Sequence, residues 1–300
     1  MSGNIIVVGS LNMDLVVHAP RHPHGGETLL GSGFATHSGG KGANQAVAAA
    51  RLGGHVTLIG CVGNDAFGQT LIGGLQADGI DASYVRIDQQ QRTGVALITI
   101  DAAGENTIVV APGANAALTL DDITQAEAAF ERSAVMIVQL EIPLVVAEAA
   151  IHLAVKHGVQ VLLNPSPATA LADGLIAADF IVPNESELTL LAGLPDIDQA
   201  VTALHRRGAR NVIVTLGEQG ARYSGTHGQF SMPAISIEVV DTTAAGDAFL
   251  GALAVALVED QSIAEALRWG TAAGALAVSR PGAQSSLPRR SELERLLERK

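Results

Sequence analysis

Asp241-Thr242-Thr243-Ala244-Ala245-Gly246-Asp247 lies between two apolar runs. Ile235-Ser236-Ile237-Glu238-Val239-Val240 before it reads as a strand, and Phe249 to Leu257 after it reads as a helix. The turn therefore sits at a strand-to-helix junction, the repeating joint of an α/β sheet. Its small residues let backbone approach a ligand closely. The first N–H groups of a helix have no partner within it, and the helix dipole adds positive charge there, so the turn suits an anion. A carboxylate beside such a site makes chemical sense if it takes a proton from an attacking hydroxyl. The stretch alone leaves a second reading open, in which Asp241 or Asp247 only caps the helix.

Outward from this turn the chain keeps the same rhythm. Asn4 to Gly9, Val56 to Val62, Ala134 to Leu140, Val159 to Leu163, Phe180 to Val182 and Val212 to Leu216 read as strands. Asp65 to Asp78, Asp121 to Arg132, Leu144 to His157, Gln199 to Arg207, Ile263 to Val278 and Glu292 to Glu298 read as helices, and Asn184-Glu185-Ser186-Glu187 opens another. This alternation predicts a mostly parallel sheet covered on both faces. Thr28 to Thr36, Gly94 to Asp101 and Thr107 to Ala111 interrupt it. With Leu15 to Val17 they predict a small separate sheet, and Tyr223 to Met232 predicts a hairpin. No linker or internal repeat divides the 300 residues.

Composition narrows the function. The chain is 48% hydrophobic but only 3% aromatic, so its core is built from aliphatic residues. A net charge of −12 excludes a nucleic-acid binder, which needs a basic surface. It does not exclude a nucleotide, whose few charges a local Lys and backbone N–H groups can offset. The single cysteine, Cys61, excludes a disulfide framework and a Cys-based zinc site. His18, His22 and His24 stand in a Pro- and Gly-containing loop without metal-ligand spacing. The N-terminus lacks signal-peptide character, and the longest apolar run, Ala248 to Val258, is too short to span a bilayer. The expectation is a soluble cytoplasmic protein with no membrane partner.

A second glycine-rich helix entry is Gly39-Gly40-Lys41-Gly42-Ala43-Asn44-Gln45. It is not a Walker A loop: Ala35 stands at the first glycine position and Gly42 at the Ser/Thr position after Lys41. Nor does a dinucleotide fingerprint follow the first strand, where Gly9-Ser10-Leu11-Asn12 stands instead. Polar residues recur just after strand ends: Asn12 and Asp14, Glu141, Asn184 and Glu187, Thr215 and Gly217, Asp241 and Asp247. In a parallel sheet these ends share one edge, where ligands bind.

The chain resembles the ribokinase-like carbohydrate kinases. Gly39 to Ala46, continuing to Arg51-Leu52-Gly53, is similar to the family's N-terminal signature, and Asp241 to Phe249 to its C-terminal one. Asn184 to Glu187 is similar to its NxxE element, and the likeness runs from Asn4 to Leu297. It implies a three-layer α/β sandwich with a mostly parallel central sheet. The whole of 1–300 would be one kinase domain, with a lid sheet from about 14–37 and 94–111 that also serves a homodimer.

The implied activity is ATP-dependent phosphorylation of D-ribose at the 5-hydroxyl. The alternatives are a deoxyribose or nucleoside kinase, or a non-catalytic sugar-binding regulator on the same fold. By resemblance Asp247 is the general base, and Ala244, Ala245 and Gly246 offer N–H groups to the phosphate in transit. Asn12, Asp14, Gly40, Lys41, Gly42, Asn44 and Glu141 bind sugar hydroxyls. Asn184, Thr215, Gly217, Gly220, Gly246 and Thr271 line the nucleotide, Thr271 replacing a more usual Asn or His. Glu187 holds Mg2+ through water. Asp241, with Thr243, Ala277, Arg280, Gly282 and Ser286, holds a potassium ion. The paired Asp14 and Asn44 favour a ligand with free ring diol hydroxyls.

Overall fold

The computed structural model describes residues 3–169 and 174–298. Its strands in chain order are β1 (Asn4–Val8), β2 (Asn12–His18), β3 (Ser32–Gly39), β4 (Val56–Gly63), β5 (Asp81–Asp88), β6 (Gly94–Ile100) and β7 (Asn106–Ala111), followed by β8 (Ser133–Gln139), β9 (Gln160–Asn164), β10 (Phe180–Ile181), β11 (Asn211–Thr215), β12 (Ala221–Gly225) and β13 (Gly228–Met232). The helices are α1 (Lys41–Arg51), α2 (Ala66–Ala77), α3 (Leu120–Gln125), α4 (Glu127–Phe130), α5 (Leu144–Lys156), α6 (Glu185–Ala192), α7 (Ile197–Arg206), α8 (Ala245–Val258), α9 (Ile263–Val278) and α10 (Arg290–Leu297).

β1 shows why the main sheet has two covered faces. Ile5 and Val7 enter one core with residues of α1, α8 and α9. Ile6 and Val8 enter a second with residues of α5, α6 and α7. All four are fully buried, which only a strand sandwiched between two helical layers allows. The sheet runs β13-β12-β11-β10-β9-β8-β1-β4-β5. It is parallel from β5 to β11, and the β12–β13 hairpin closes it antiparallel. The small sheet, β3-β2-β6-β7, is mixed: β2 pairs antiparallel with β3 and parallel with β6, and β6 pairs antiparallel with β7. Among the described residues no helix is long and apolar enough to cross a membrane.

Beyond Asp247 in its first turn, α8 is apolar on every side, as suits a helix enclosed by neighbours. It packs on α1, α9, β1 and β8. Its approach to α1 is so close that a Cβ on Gly251 would lie 2.5 Å from the Ala48 Cβ. This contact brings the two signature helices together with their N-termini at one edge of the sheet.

Several expectations change. Ile235 to Val240 forms no strand; Val239 and Val240 are largely exposed, and Ile235, Ile237 and Val239 instead wall a cavity. Asn12 and Asp14 lie within β2, not in a turn, and β3 begins only at Ser32, later than Thr28. The helix expected over 121–132 is broken at Ala126 into α3 and α4. β5 was not anticipated: its apolar residues alternate only weakly with Asp81, Ser83, Arg86 and Asp88, because it is an edge strand.

Candidate active site

Both signature helices begin with unusual backbone. Gly40 caps α1 at φ 88°, and a Cβ there would lie 2.7 Å from the Asn12 nitrogen. Glycine is required at this position by both conformation and space. Ala244 caps α8 at φ 59°, a left-handed conformation that a non-glycine residue seldom adopts. No side chain caps the N-terminus of α8. A Cβ on the exposed Gly246 would meet nothing within 4 Å, so the space over this turn is open to a ligand.

Asp247 lies in the first turn of α8 and is 7% exposed. Its Oδ2 accepts from Asn44 Nδ2 at 3.0 Å, and its Oδ1 from Gln45 Nε2 at 2.8 Å. Desolvation pushes its carboxyl up from the ordinary range, and the Glu141 charge adds to this. Lys41 and the two amide donors oppose the shift without cancelling it. Burial pulls the Lys41 ammonium down, but Asp247, Glu141 and Glu187 outweigh burial and leave it above its usual value. Asp14 is raised to about 7 by desolvation, then by Glu141 and Asp247. The charges of three carboxylates and one ammonium thus act on one another across this partly desolvated site.

Glu141, just past β8, accepts from Ser10 Oγ at 2.5 Å and from the Lys41 N–H at 3.2 Å. Asn12 Oδ1 accepts from the buried Asn115 at 2.8 Å. Asn115 also bonds both the N–H and the carbonyl of Leu11, which ties the β1–β2 connection down.

Two cavities meet at the head of α8. The smaller, about 190 Å³, holds Asp247, Lys41, Glu187 and Asn184. The larger, about 690 Å³, is walled by Ile235, Ile237, Val239, Phe249 and Val278 and also by Gly217, Gly220 and Thr271. Asn184, Thr215, Ala245 and Gly246 border both. A polar chamber joined at a helix N-terminus to a longer apolar slot matches a reacting centre joined to a planar base and its phosphates.

Residues 2–290 match the pfkB family of carbohydrate kinases. The chain belongs to this family. It is 41% identical over 304 residues to a Haemophilus influenzae ribokinase, covering 99% of each chain. It is 38% identical over 292 residues to a Salmonella typhi deoxyribokinase, covering 95% of each. Among solved structures, Arabidopsis thaliana ribokinase complexed with ribose and ATP superposes with a TM-score of 0.93, at 34% identity over the full length of both chains.

In this carbohydrate kinase the larger cavity is lined by Asn184, Thr215, Gly217, Gly220, Gly246 and Thr271, the residues expected around a nucleotide. Asn184 and Glu187 form a reciprocal cap on α6: Asn184 Oδ1 accepts from the Glu187 N–H, and Glu187 Oε2 from the Asn184 N–H. Glu187 lines the chamber. Among the described residues no three His, Cys, Asp or Glu side chains cluster as a metal cage. With Asp247, Glu187 gives this cavity two carboxylates, a sparse oxygen set of the kind that fits Mg2+, which keeps waters and takes few protein ligands. Thr271 lines the apolar slot, but its hydroxyl donates to the Leu267 carbonyl at 2.6 Å.

Asp241 stands apart from Asp247. Its Oδ1 accepts from the N–H and hydroxyl of Thr243, and its Oδ2 from the Gly282 N–H at 2.8 Å. Burial pulls this carboxyl upward, but those donors outweigh burial and hold it below its usual value. Asp241 is thereby joined to the 277–286 segment, where Ser286 is fully buried and Arg280 is paired with Glu292. The main chain adds a second tie to this segment, the Asp241 N–H donating to the Val278 carbonyl at 3.1 Å.

Sequence reasoning passed over Ser10, Gln45, Asn115, Gln139 and Asn164. Their common signal is a polar side chain adjoining a buried apolar strand or an identified motif, a signal that a turn residue gives equally.

Proposed function

We propose that the chain catalyses transfer of the γ-phosphoryl group of ATP to the 5-hydroxyl of D-ribose, with Asp247 as general base. The observation that carries this reading is a buried carboxylate, held by two amide donors, in the first turn of an uncapped helix where a polar chamber and an apolar slot meet. Asn12, Asp14, Gly40, Lys41, Gly42, Asn44 and Glu141 bind the sugar. They offer both donors and acceptors, as hydroxyls need. Asn184, Thr215, Gly217, Gly220 and Thr271 line the nucleotide.

In the reaction Asp247 takes the proton of the 5-hydroxyl as its oxygen forms a bond to the γ-phosphorus. The bond from that phosphorus to the β,γ-bridging oxygen breaks, and ADP leaves with the electron pair. The N–H groups of Ala244, Ala245 and Gly246, at the positive end of α8, face the charge on the phosphoryl oxygens, that of Ala245 turning from the Thr242 carbonyl to which it donates at 3.3 Å. A positioned base supplies typically about 10²–10⁴-fold, and alignment and charge stabilisation supply most of the rest. When bound, Mg2+ neutralises phosphate charge beside Glu187. A potassium ion held by Asp241, the carbonyls of Thr243, Ala277, Arg280 and Gly282, and Ser286 fixes the shape of the loop leading into α8. The small sheet serves as the lid that excludes water, which otherwise competes with the sugar hydroxyl. We further propose a cytoplasmic homodimer.

The Salmonella typhi relative supports a second reading, 2-deoxyribose as substrate. Asp14 and Asn44 stand against it, because they suit vicinal ring hydroxyls. The test is ADP release with ribose, 2-deoxyribose, fructose and adenosine, each with Mg2+ and with either potassium or sodium. Ribose is expected to give the highest kcat/KM, and potassium to raise it. Deoxyribose or adenosine outperforming ribose would refute the substrate assignment. Stoichiometric ribose binding without turnover would point to a regulator.

A further inference from the structure

Beside Asp247 runs a chain of three neutral amides, Gln45, Gln139 and Asn164, the last of which also lines the smaller cavity. Asn164, at the end of β9, donates through Nδ2 to the Val182 carbonyl at 3.1 Å. Its Oδ1 is thereby fixed as an acceptor, and it takes a hydrogen bond from Gln45 Nε2 at 3.2 Å. Gln45 Oε1 then faces the other way and accepts from Gln139 Nε2 at 2.6 Å. The second N–H of Gln45 is left for Asp247 Oδ1, at 2.8 Å. Gln45 and Gln139 are fully buried.

We infer that Gln45, oriented by Gln139 and Asn164, is the positioning residue that sets the plane and the ionisation of the Asp247 carboxylate. The inference rests on the reading of Asp247 as the general base. A flipped Gln45 amide would turn its oxygen toward the oxygens of both Asp247 and Asn164, so the relay has one consistent direction. With Asn44 on Oδ2 and Gln45 on Oδ1, both carboxylate oxygens are held, and rotation about the last side-chain bond is blocked. What remains free on Asp247 is a fixed set of lone pairs, which a base needs for a hydroxyl at a defined angle.

The arrangement carries a penalty at its far end. Among the described residues Gln139 Oε1 has no hydrogen-bond partner, and it occupies space where a Cβ on residue 9 would stand, 1.9 Å away, so Gly9 accommodates it. A buried oxygen without a donor is destabilising, whereas the amide nitrogen of the same side chain directs Gln45. The charged groups facing Asp247 are Lys41 of α1, Glu141 beyond β8 and Asp14 of β2. Of the two donors on its carboxylate oxygens, only Gln45 belongs to the relay; Asn44 lines the sugar side.

The test uses Gln45→Met, Gln139→Met and the double variant, which keep side-chain volume but remove the amides, with Asp247→Asn as reference. Gln45→Met is expected to lower kcat about tenfold to a hundredfold, the loss typical of a donor to a charged group, with KM for ribose within about threefold. Loss of a donor to the ionised form raises the pKa of the base, so the acidic limb of the kcat–pH profile moves upward by about one unit. Gln139→Met moves kcat and the limb the same way by less. The double variant is no worse than Gln45→Met, because Gln139 acts through Gln45. Losses that multiply, or an unmoved limb in either single variant, overturn the inference. If Gln45→Met does not fold, the limb of Gln139→Met decides alone. Near-normal turnover in Asp247→Asn instead refutes the base assignment itself, so the two failures are distinguishable.

Discussion

Burial draws the Asp14 carboxyl up to about 7, and the Glu141 and Asp247 charges push it the same way. An acid whose folded pKa is raised contributes stability at low pH and loses it as pH rises from its unfolded value, near 3.8, through 7. Above pH 7 the ionised Asp14 is therefore a standing penalty on the fold. Asp14→Asn is expected to stabilise the protein at pH 8 by on the order of 2 kcal/mol, allowing for partial exposure of the group. The gain should vanish near pH 4. Thermal unfolding at the two pH values reads it, and an equal or lower Tm at pH 8 contradicts it. The same side chain presents both oxygens as charged acceptors to sugar hydroxyls only when ionised. The wild-type kcat/KM for ribose should thus fall with pH below about 7, and Asp14→Asn should depress kcat/KM at pH 8 and shift this limb without abolishing it, since Asp247 also titrates in it. The three acids titrate as a coupled set, so the limb belongs to the group of them.

At the scale of elements, the site depends on two helices meeting without a side chain between them. A Cβ on Gly251 of α8 would lie 2.5 Å from the Ala48 Cβ and 2.8 Å from the Ala49 nitrogen of α1. Gly251→Val should separate α1 from α8. Asn44 and Gln45 ride on the first helix and Asp247 on the second, so the hydrogen bonds that hold Asp247, the proposed base, should lengthen. Overpacking of this kind costs about 1–3 kcal/mol, measurable by urea unfolding. kcat should fall more than that loss of stability explains at saturating ribose; an unchanged kcat in a folded variant would show that the helix spacing does not govern the base.

Both helices were legible in the sequence. Their glycine-rich entries and apolar continuations are local signals, and local signals survive without tertiary context. Ile235 to Val240 was misread because apolar alternation reports burial against something, and here that is a cavity wall, not a neighbouring strand. The break at Ala126 carries no Gly or Pro to announce it. Gln45, Gln139 and Asn164 were illegible as a set because they meet only when α1, β8 and β9 are packed.

At the scale of the molecule, the small sheet carries apolar residues on both faces. Paired residues share a face, so Asp14, Ala96 and Val110 lie on one side with Ile98 and Ile108, and Leu15, Leu97 and Val109 lie on the other with Phe34. The first side carries Asp14, which is proposed to bind the sugar. The second has no such role, yet Phe34 is 70% exposed, Val109 67% and Leu97 51%. An apolar sheet face of this kind marks an interaction surface, and β7, exposed along its whole length, adds an unpaired strand edge. A second copy of the same sheet covers both in the proposed dimer. Val109→Lys places a charge at the centre of that face and away from Asp14. It is expected to convert a dimer into a monomer in sedimentation velocity at micromolar concentration. KM for ribose should rise several-fold, because the lid loses the partner that holds it, while kcat at saturating ribose stays within about twofold since Asp247 and its amides are untouched. A wild-type monomer would refute the assembly. A monomeric variant with unchanged KM would separate assembly from the lid and leave the second face without a part in sugar binding.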